Sequence, residues 1–132
     1  MSTFNSFTEI KAWRKARELA RHIFELTAKG TFSRDFGLKD QINRATGSIM
    51  DNIAEGFERD SKNEFVNFLS YSKGSAGETL SQVYRALDRK HISQEEFNKL
   101  ESDIHEVGGL IAGLIKYLNG VPVRGLKFKN RV

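Results

Sequence analysis

The sequence has no cysteine and one proline, Pro122. Without cysteine there is no disulfide framework, no thiolate metal site and no cysteine nucleophile. With its single proline at position 122, the first 121 residues can run as long helices without losing an amide donor. Long uncharged apolar runs are also missing, and none approaches the roughly 18 residues that a membrane span requires. The opening Met1-Ser-Thr-Phe-Asn-Ser-Phe7 has no basic segment leading into an apolar one, so no secretory signal is expected and the chain reads as cytoplasmic. The 132 residues are 39% hydrophobic and 29% charged, enough for one core and a soluble surface.

Acidic residues are absent from one place in particular. Residues 121–132 carry Arg124, Lys127, Lys129 and Arg131 and no carboxylate. Removing those four from the 21 basic residues leaves 17 bases against 17 acids in residues 1–120, so the sequence pI of 9.4 belongs to the tail. Between Glu9 and Lys29 six bases face three acids, whereas between Glu95 and Glu106 five acids face Lys99. A basic first segment and an acidic fourth segment follow.

Apolar residues recur at steps of three and four along four segments. The first runs from a Thr8 cap to about Ala28, with Ile10, Trp13, Ala16, Ala20, Ile23, Phe24 and Thr27 on its inner face. The second covers about Leu38 to Phe57, with Gly56 expected as its left-handed end. The third opens on Ser61-Lys-Asn-Glu64 and the fourth on Ser93-Gln-Glu-Glu96, both with the spacing of a capping box. Gly74 and Gly77 fall inside the third segment, where glycine costs about 1 kcal/mol relative to alanine, and close helix approach is the expected compensation. Short connections between long helices favour antiparallel neighbours. The expected fold is all-α: an antiparallel up-down-up-down four-helix bundle over residues 1–120, followed by a short basic C-terminal tail over 121–132.

A bundle can house a carboxylate-bridged metal pair, which takes Glu-x-x-His twice. Three residues before His22, His91 and His105 stand Leu19, Asp88 and Ser102. Only Asp88 with His91 approaches the pattern, and it straddles an expected helix end, so no metal and no cofactor are expected. The glycines at 74–77 and 108–113 lie within helices and lack the Gly-Lys-Ser/Thr ending of a phosphate loop. No Gly-x-Ser-x-Gly elbow occurs. The chain reads as a non-enzyme without catalytic residues. One polar stripe stands out: Arg44, Ser48, Asn52, Glu55 and Arg59 on the second helix, facing Ser75 and Glu78 on the third. It is expected to fix helix register or subunit contacts, with ligand binding as the other reading.

Asn52-Ile-Ala-Glu-Gly56, Arg59, Phe65, Phe68-Leu69, Gly74-Ser75 and Glu78 resemble the core pattern of the four-helix-bundle proteins encoded in intervening sequences of bacterial large-subunit ribosomal RNA. The runs Phe7, Ile10, Trp13, Ala16, Leu19 and Gln41-Ile42, Arg44-Ala45, Ser48-Ile49 fit the same family, and the likeness spans about residues 5–119. Ser72 departs from it, standing where the family commonly has alanine. The resemblance implies a homo-oligomer, typically a pentameric ring. It also implies kinship with the accessory variability determinant of diversity-generating retroelements, a barrel that binds nucleic acid and a reverse transcriptase. It implies no catalytic residues.

Two functional readings follow. In the first, the oligomer binds RNA or DNA through the basic face of the first helix (Lys11, Arg14, Lys15, Arg21) and the tail (Arg124, Lys127, Lys129, Arg131). In the second, it is a scaffold that docks a partner protein through Phe4, Phe7, Phe32 and Phe36.

Overall fold

The structure, a computed structural model, describes residues 4–121, and its elements are helices without any strand among those residues. Four long helices carry the fold: α1 (Lys11–Thr27), α2 (Phe36–Glu58), α3 (Lys62–Asp88) and α4 (Gln94–Asn119). Short 3-10 turns at Phe7–Glu9 and Gly30–Arg34 precede α1 and join it to α2. The helices run up-down-up-down, with tight seams between sequential neighbours and a thinner α1–α4 seam closing the bundle. Because the chain crosses the bundle an even number of times, the start of α1 and the end of α4 share one pole with the α2–α3 corner.

The apolar stripes meet in one core. Leu19 and Ile23 of α1, Ile42, Ile49 and Ile53 of α2, Phe65, Leu69 and Val83 of α3, and Ile104, Val107 and Ile111 of α4 are all buried. Each such side chain contributes about 1.5–3 kcal/mol by leaving water. Phe24 does not join them. It stands one residue past Ile23, which turns it out of the core, and it is 61% exposed.

Helix ends follow local chemistry. Thr8 lies within the first 3-10 turn, which Ser6 caps; α1 begins after Ile10, without a side-chain cap. Asp35 caps α2 by accepting from the Leu38 amide, and Ser61 caps α3 by accepting from the Glu64 amide. Glu64 itself turns to Arg59, 3.6 Å away, so only Ser93 and Glu96 at α4 complete a reciprocal capping box. α3 ends in a Schellman arrangement: the His91 amide reaches Ala86 O and the Lys90 amide reaches Leu87 O, with Lys90 at φ 61°.

Two glycine expectations are overturned. Gly56 does not end α2 in a left-handed conformation; it is an interior residue, and Asp60, at φ 64°, makes the turn. The need at Gly56 is for space. A Cβ there would lie 2.6 Å from Phe68 Cβ and 3.1 Å from Phe65 Cδ1, so the α2–α3 crossing admits no side chain. Gly74 and Gly77, expected at a close crossing, meet nothing within 4 Å and face outward. Gly56→Ala is therefore expected to cost about 1–3 kcal/mol through overpacking. Gly77→Ala should leave subunit stability unchanged or raise it by up to about 1 kcal/mol through helix propensity. Urea midpoints decide between them, and equal shifts for the two would overturn the packing account.

Candidate nucleic-acid interface

The predicted basic face of α1 is divided by its surroundings. Lys11 and Arg14 stand exposed at the first turn, where the Arg14 guanidinium donates to Thr8 O at 3.2 Å. Lys15 and Arg21 instead line a groove between α1 and α4 together with Glu18, Glu25, Asp103 and Glu106. Lys15 Nζ lies 3.8 Å from Glu18. Lys99 of α4 joins the groove, giving three cations against four carboxylates, with His22 between them. The acidic helix lies alongside the basic one and offsets half of its patch. Arg17 is set apart, its guanidinium 5.9 Å from the Trp13 ring centroid. The four tail cations, Arg124, Lys127, Lys129 and Arg131, fall outside the described residues. The last described residue, Val121, presents its carbonyl to Lys62 Nζ at 3.0 Å.

The polar stripe across α2 and α3 forms three separate groups. Asn52 Nδ2 donates to Ser48 O and Ser48 Oγ, and Ser75 Oγ bonds Ser48 Oγ at 3.0 Å, which links the two helices. Toward the α2–α3 corner, Arg59 reaches Glu55 at 3.0 Å and Glu64 at 3.6 Å and lies 5.0 Å from the Phe68 ring centroid. Toward the other pole, Arg44 pairs with Asp40 at 3.1 Å while its side chain stays 79% exposed. Glu78 shares a shallow surface hollow with Gln41, Arg44 and Ser48. Only the middle group is partly buried. Ser72, buried beside it, donates to Ile49 O at 2.6 Å. A serine there adds a cross-helix hydrogen bond that alanine would lack.

Of the four aromatics expected as exposed anchors, three are packed. Phe32 is buried, with its ring stacked 4.9 Å from His91. Phe4 packs edge-on against Phe57, and Phe7 against Trp13. Phe36 alone stands out, 74% exposed, and it is joined by Phe24, Tyr71, Tyr84 and Tyr117.

A cluster that the spacing did not announce holds the opposite pole. Asp35 Oδ2 accepts from Arg89 and from His91 Nε2, each at 2.8 Å, while Thr31 Oγ1 lies 2.8 Å from His91 Nδ1. The acid near His91 in sequence is Asp88, but the one that reaches it is Asp35, 56 positions away. The legible sign was Asp35 as a cap immediately before an apolar-periodic run. No group of three or more histidine or acidic side chains among the described residues could hold a metal ion.

The profile of the 23S rRNA-intervening sequence proteins matches residues 8–113, nearly all of the bundle. The chain belongs to that family. Its fold is also that of a crystal structure from the S23 ribosomal protein family of Bacteroides thetaiotaomicron VPI-5482, a protein described as having unknown function. The two are 25% identical and superpose with a TM-score of 0.73 over 80% of this chain and 95% of that one. No curated protein matches the chain. Neither family nor neighbour is described by a reaction. No described helix of this S23-like bundle is long and apolar enough to cross a membrane.

In this family member the Asp35 cluster joins the start of α2 to the α3–α4 connection, and it carries a pH signature. The His91 hydrogen bond, followed by that from Arg89, lowers the Asp35 carboxyl from 3.8 to about 2. A carboxyl lowered on folding stabilises above its unfolded value, and that contribution fades as pH falls through the folded value. Asp35→Asn keeps a competent cap and removes the charge. The variant is expected to lose stability at neutral pH and to show a shallower decline between about pH 4 and about pH 2. Urea midpoints across that window check it, and an unchanged slope would show that Asp35 does not hold the pole.

Proposed function

We propose that this 23S rRNA-intervening sequence protein is a non-enzymatic homo-oligomer, five copies to a ring, that binds nucleic acid, with RNA ahead of DNA, in the cytoplasm. The observation that carries the reading is the shared pole. Lys11 and Arg14 are exposed at the first turn of α1, and the chain leaves α4 toward its four tail cations at the same end of the bundle. Five tails would bring about twenty positive charges to one particle, so binding is sequence-indifferent and steeply salt-dependent. The kinship with the accessory variability determinant belongs to this proposal, resting on the motif residues and the bundle.

Assembly is supported by what the subunit leaves uncovered. Gly74, Gly77, Gly108, Gly109 and Gly113 would each meet nothing within 4 Å if given a Cβ. Each costs its helix about 1 kcal/mol with no return among the described residues. The α3–α4 groove that contains three of them is lined by Ala76, Leu80, Ile104 and Ala112. Light scattering during gel filtration is expected to give a mass near five times 15.0 kDa. A stable 15.0 kDa species at micromolar concentration would end the oligomer reading.

A second reading, a scaffold that docks a partner protein, draws on the exposed Phe24 and Phe36 rings. Salt separates the two. Wild-type protein freed of co-purified nucleic acid is expected to retain RNA at low salt, with a slope that flattens by about 0.7–0.9 for each phosphate contact removed. Lys11→Gln with Arg14→Gln should weaken binding and flatten the slope. Lys15→Gln should do less, because Glu18 already faces it. Deleting residues 121–132 should act like the Lys11/Arg14 pair. Failure to retain single- or double-stranded RNA at low salt would favour the scaffold.

A further inference from the structure

We propose that Asn119 and Gly120, where α4 ends, form a site of spontaneous covalent modification, at which the Asn119 amide is lost and aspartate or isoaspartate takes its place. Of the eight asparagines in the chain, only Asn119 is followed by glycine. Without a side chain on the next residue, the next backbone nitrogen can approach the asparagine carboxamide unhindered.

The structure supplies the rest of what the pair needs. Asn119 is the last residue of α4 and Gly120 its cap, and both are exposed. The helical ladder has already run out there. The Gly120 amide bonds Tyr117 O, three residues back, at 3.1 Å and shares its proton with Leu118 O. Bonds in a terminal turn open first as a helix frays. The Asn119 side chain makes no hydrogen bond among the described residues. Asparagines inside the helices differ on both counts. Asn43 donates to Thr27 Oγ1 and Lys39 O, Asn52 donates to Ser48, and Asn98 accepts from Gln94. The residue after each of them is itself helical.

The Gly120 nitrogen, losing its proton to a solvent base, attacks Asn119 Cγ. The new N–C bond closes a cyclic imide as the Cγ–Nδ2 bond breaks, and Nδ2 leaves as ammonia. Water then opens the imide, giving aspartate by attack at Cγ and isoaspartate by attack at the Asn119 backbone carbonyl. One water is consumed and one ammonia released. Lys62 restrains the step. Its Nζ, in the first turn of α3, donates to the Val121 carbonyl at 3.0 Å and opposes rotation of the backbone beyond Gly120. The product places a carboxylate against the negative end of the α4 dipole. It is also the first acid in residues 119–132, which otherwise hold four cations and none. Neither nucleic-acid binding nor assembly is needed for this inference.

The test follows the full chain in mildly alkaline buffer, digested with trypsin at intervals. Cleavage after Lys116 and Arg124 isolates residues 117–124, with Asn119 as their only asparagine. This peptide is expected to gain the mass of an amide-to-acid exchange and to split into two chromatographic products, while peptides carrying Asn43 and Asn52 keep their mass. Gly120→Ala is expected to slow the conversion several-fold. The fold admits that change, since a Cβ at Gly120 meets only Tyr117 O at 3.6 Å and Lys116 O at 3.8 Å. Lys62→Met, with unchanged helical circular dichroism, is expected to convert faster than wild type in buffer and at the same rate in urea. An equal rate in buffer would overturn the restraint by Lys62. If residues 117–124 stay unconverted in the chain while the same residues convert as a free peptide, the site is overturned. Equal conversion at Asn43 or Asn52 would overturn it as well.

Discussion

The bundle depends on one close approach. With 2.6 Å between the position of a Gly56 Cβ and Phe68 Cβ, α2 and α3 leave their corner nearly backbone to backbone. Only three residues, 59–61, separate the two helices, so the angle and register set at the corner persist along the pair. The ladder that follows keeps one register: Ser72 to Ile49 O, Ser75 to Ser48, and Arg85 to Gln41 near the far pole. Each rung pairs residues whose positions advance on one helix as they recede on the other, as antiparallel packing requires. α1 and α4 then lie on a platform whose geometry is already decided.

The far pole is closed by polar contacts. Asp35 is at once the cap of α2 and the acceptor for Arg89 and His91, so one carboxylate ties the α1–α2 connection to the α3–α4 connection. The Schellman ending of α3 makes this possible, because it turns the chain after Arg89 and brings His91 under Phe32. Glycine packing at one end and a charge-assisted hydrogen bond at the other hold the same pair of helices. Acid weakens only the second.

The helices were legible because their stripes repeat at 3.6 residues over four turns or more, and Ile42, Ile49, Leu69 and Ile111 fell in the core as their spacing required. Gly56 and Gly77 were not legible. Both are helical glycines, and whether a glycine faces a neighbour or solvent depends on the rotation of its helix against another, which local pattern does not contain. Phe32, in the connection, and Phe36, the first residue of α2, lie four apart, yet the first is buried and the second is 74% exposed. The difference comes from a 3-10 turn that stacks Phe32 against a histidine distant in sequence. The basic residues of α1 do not form one surface, because Asp103 and Glu106 arrive beside Lys15 and Arg21 from a helix more than seventy positions away.

The residues that mark the family fall largely on the α2–α3 seam. Asn52 and Ser75 bond through Ser48, Gly56 lies against Phe65 and Phe68, and Arg59 sits over Phe68 while bridging Glu55 and Glu64. Each makes a contact that sets how two helices meet, and a side chain already engaged with its own neighbour has little left to offer a ligand. In this chain these side chains are engaged with one another across the seam. The surfaces those contacts leave open are the first turn of α1, the uncovered glycines of α3 and α4, and the end of α4. These surfaces can change from one family member to another without disturbing the seam, so a shared fold at 25% identity is compatible with different partners.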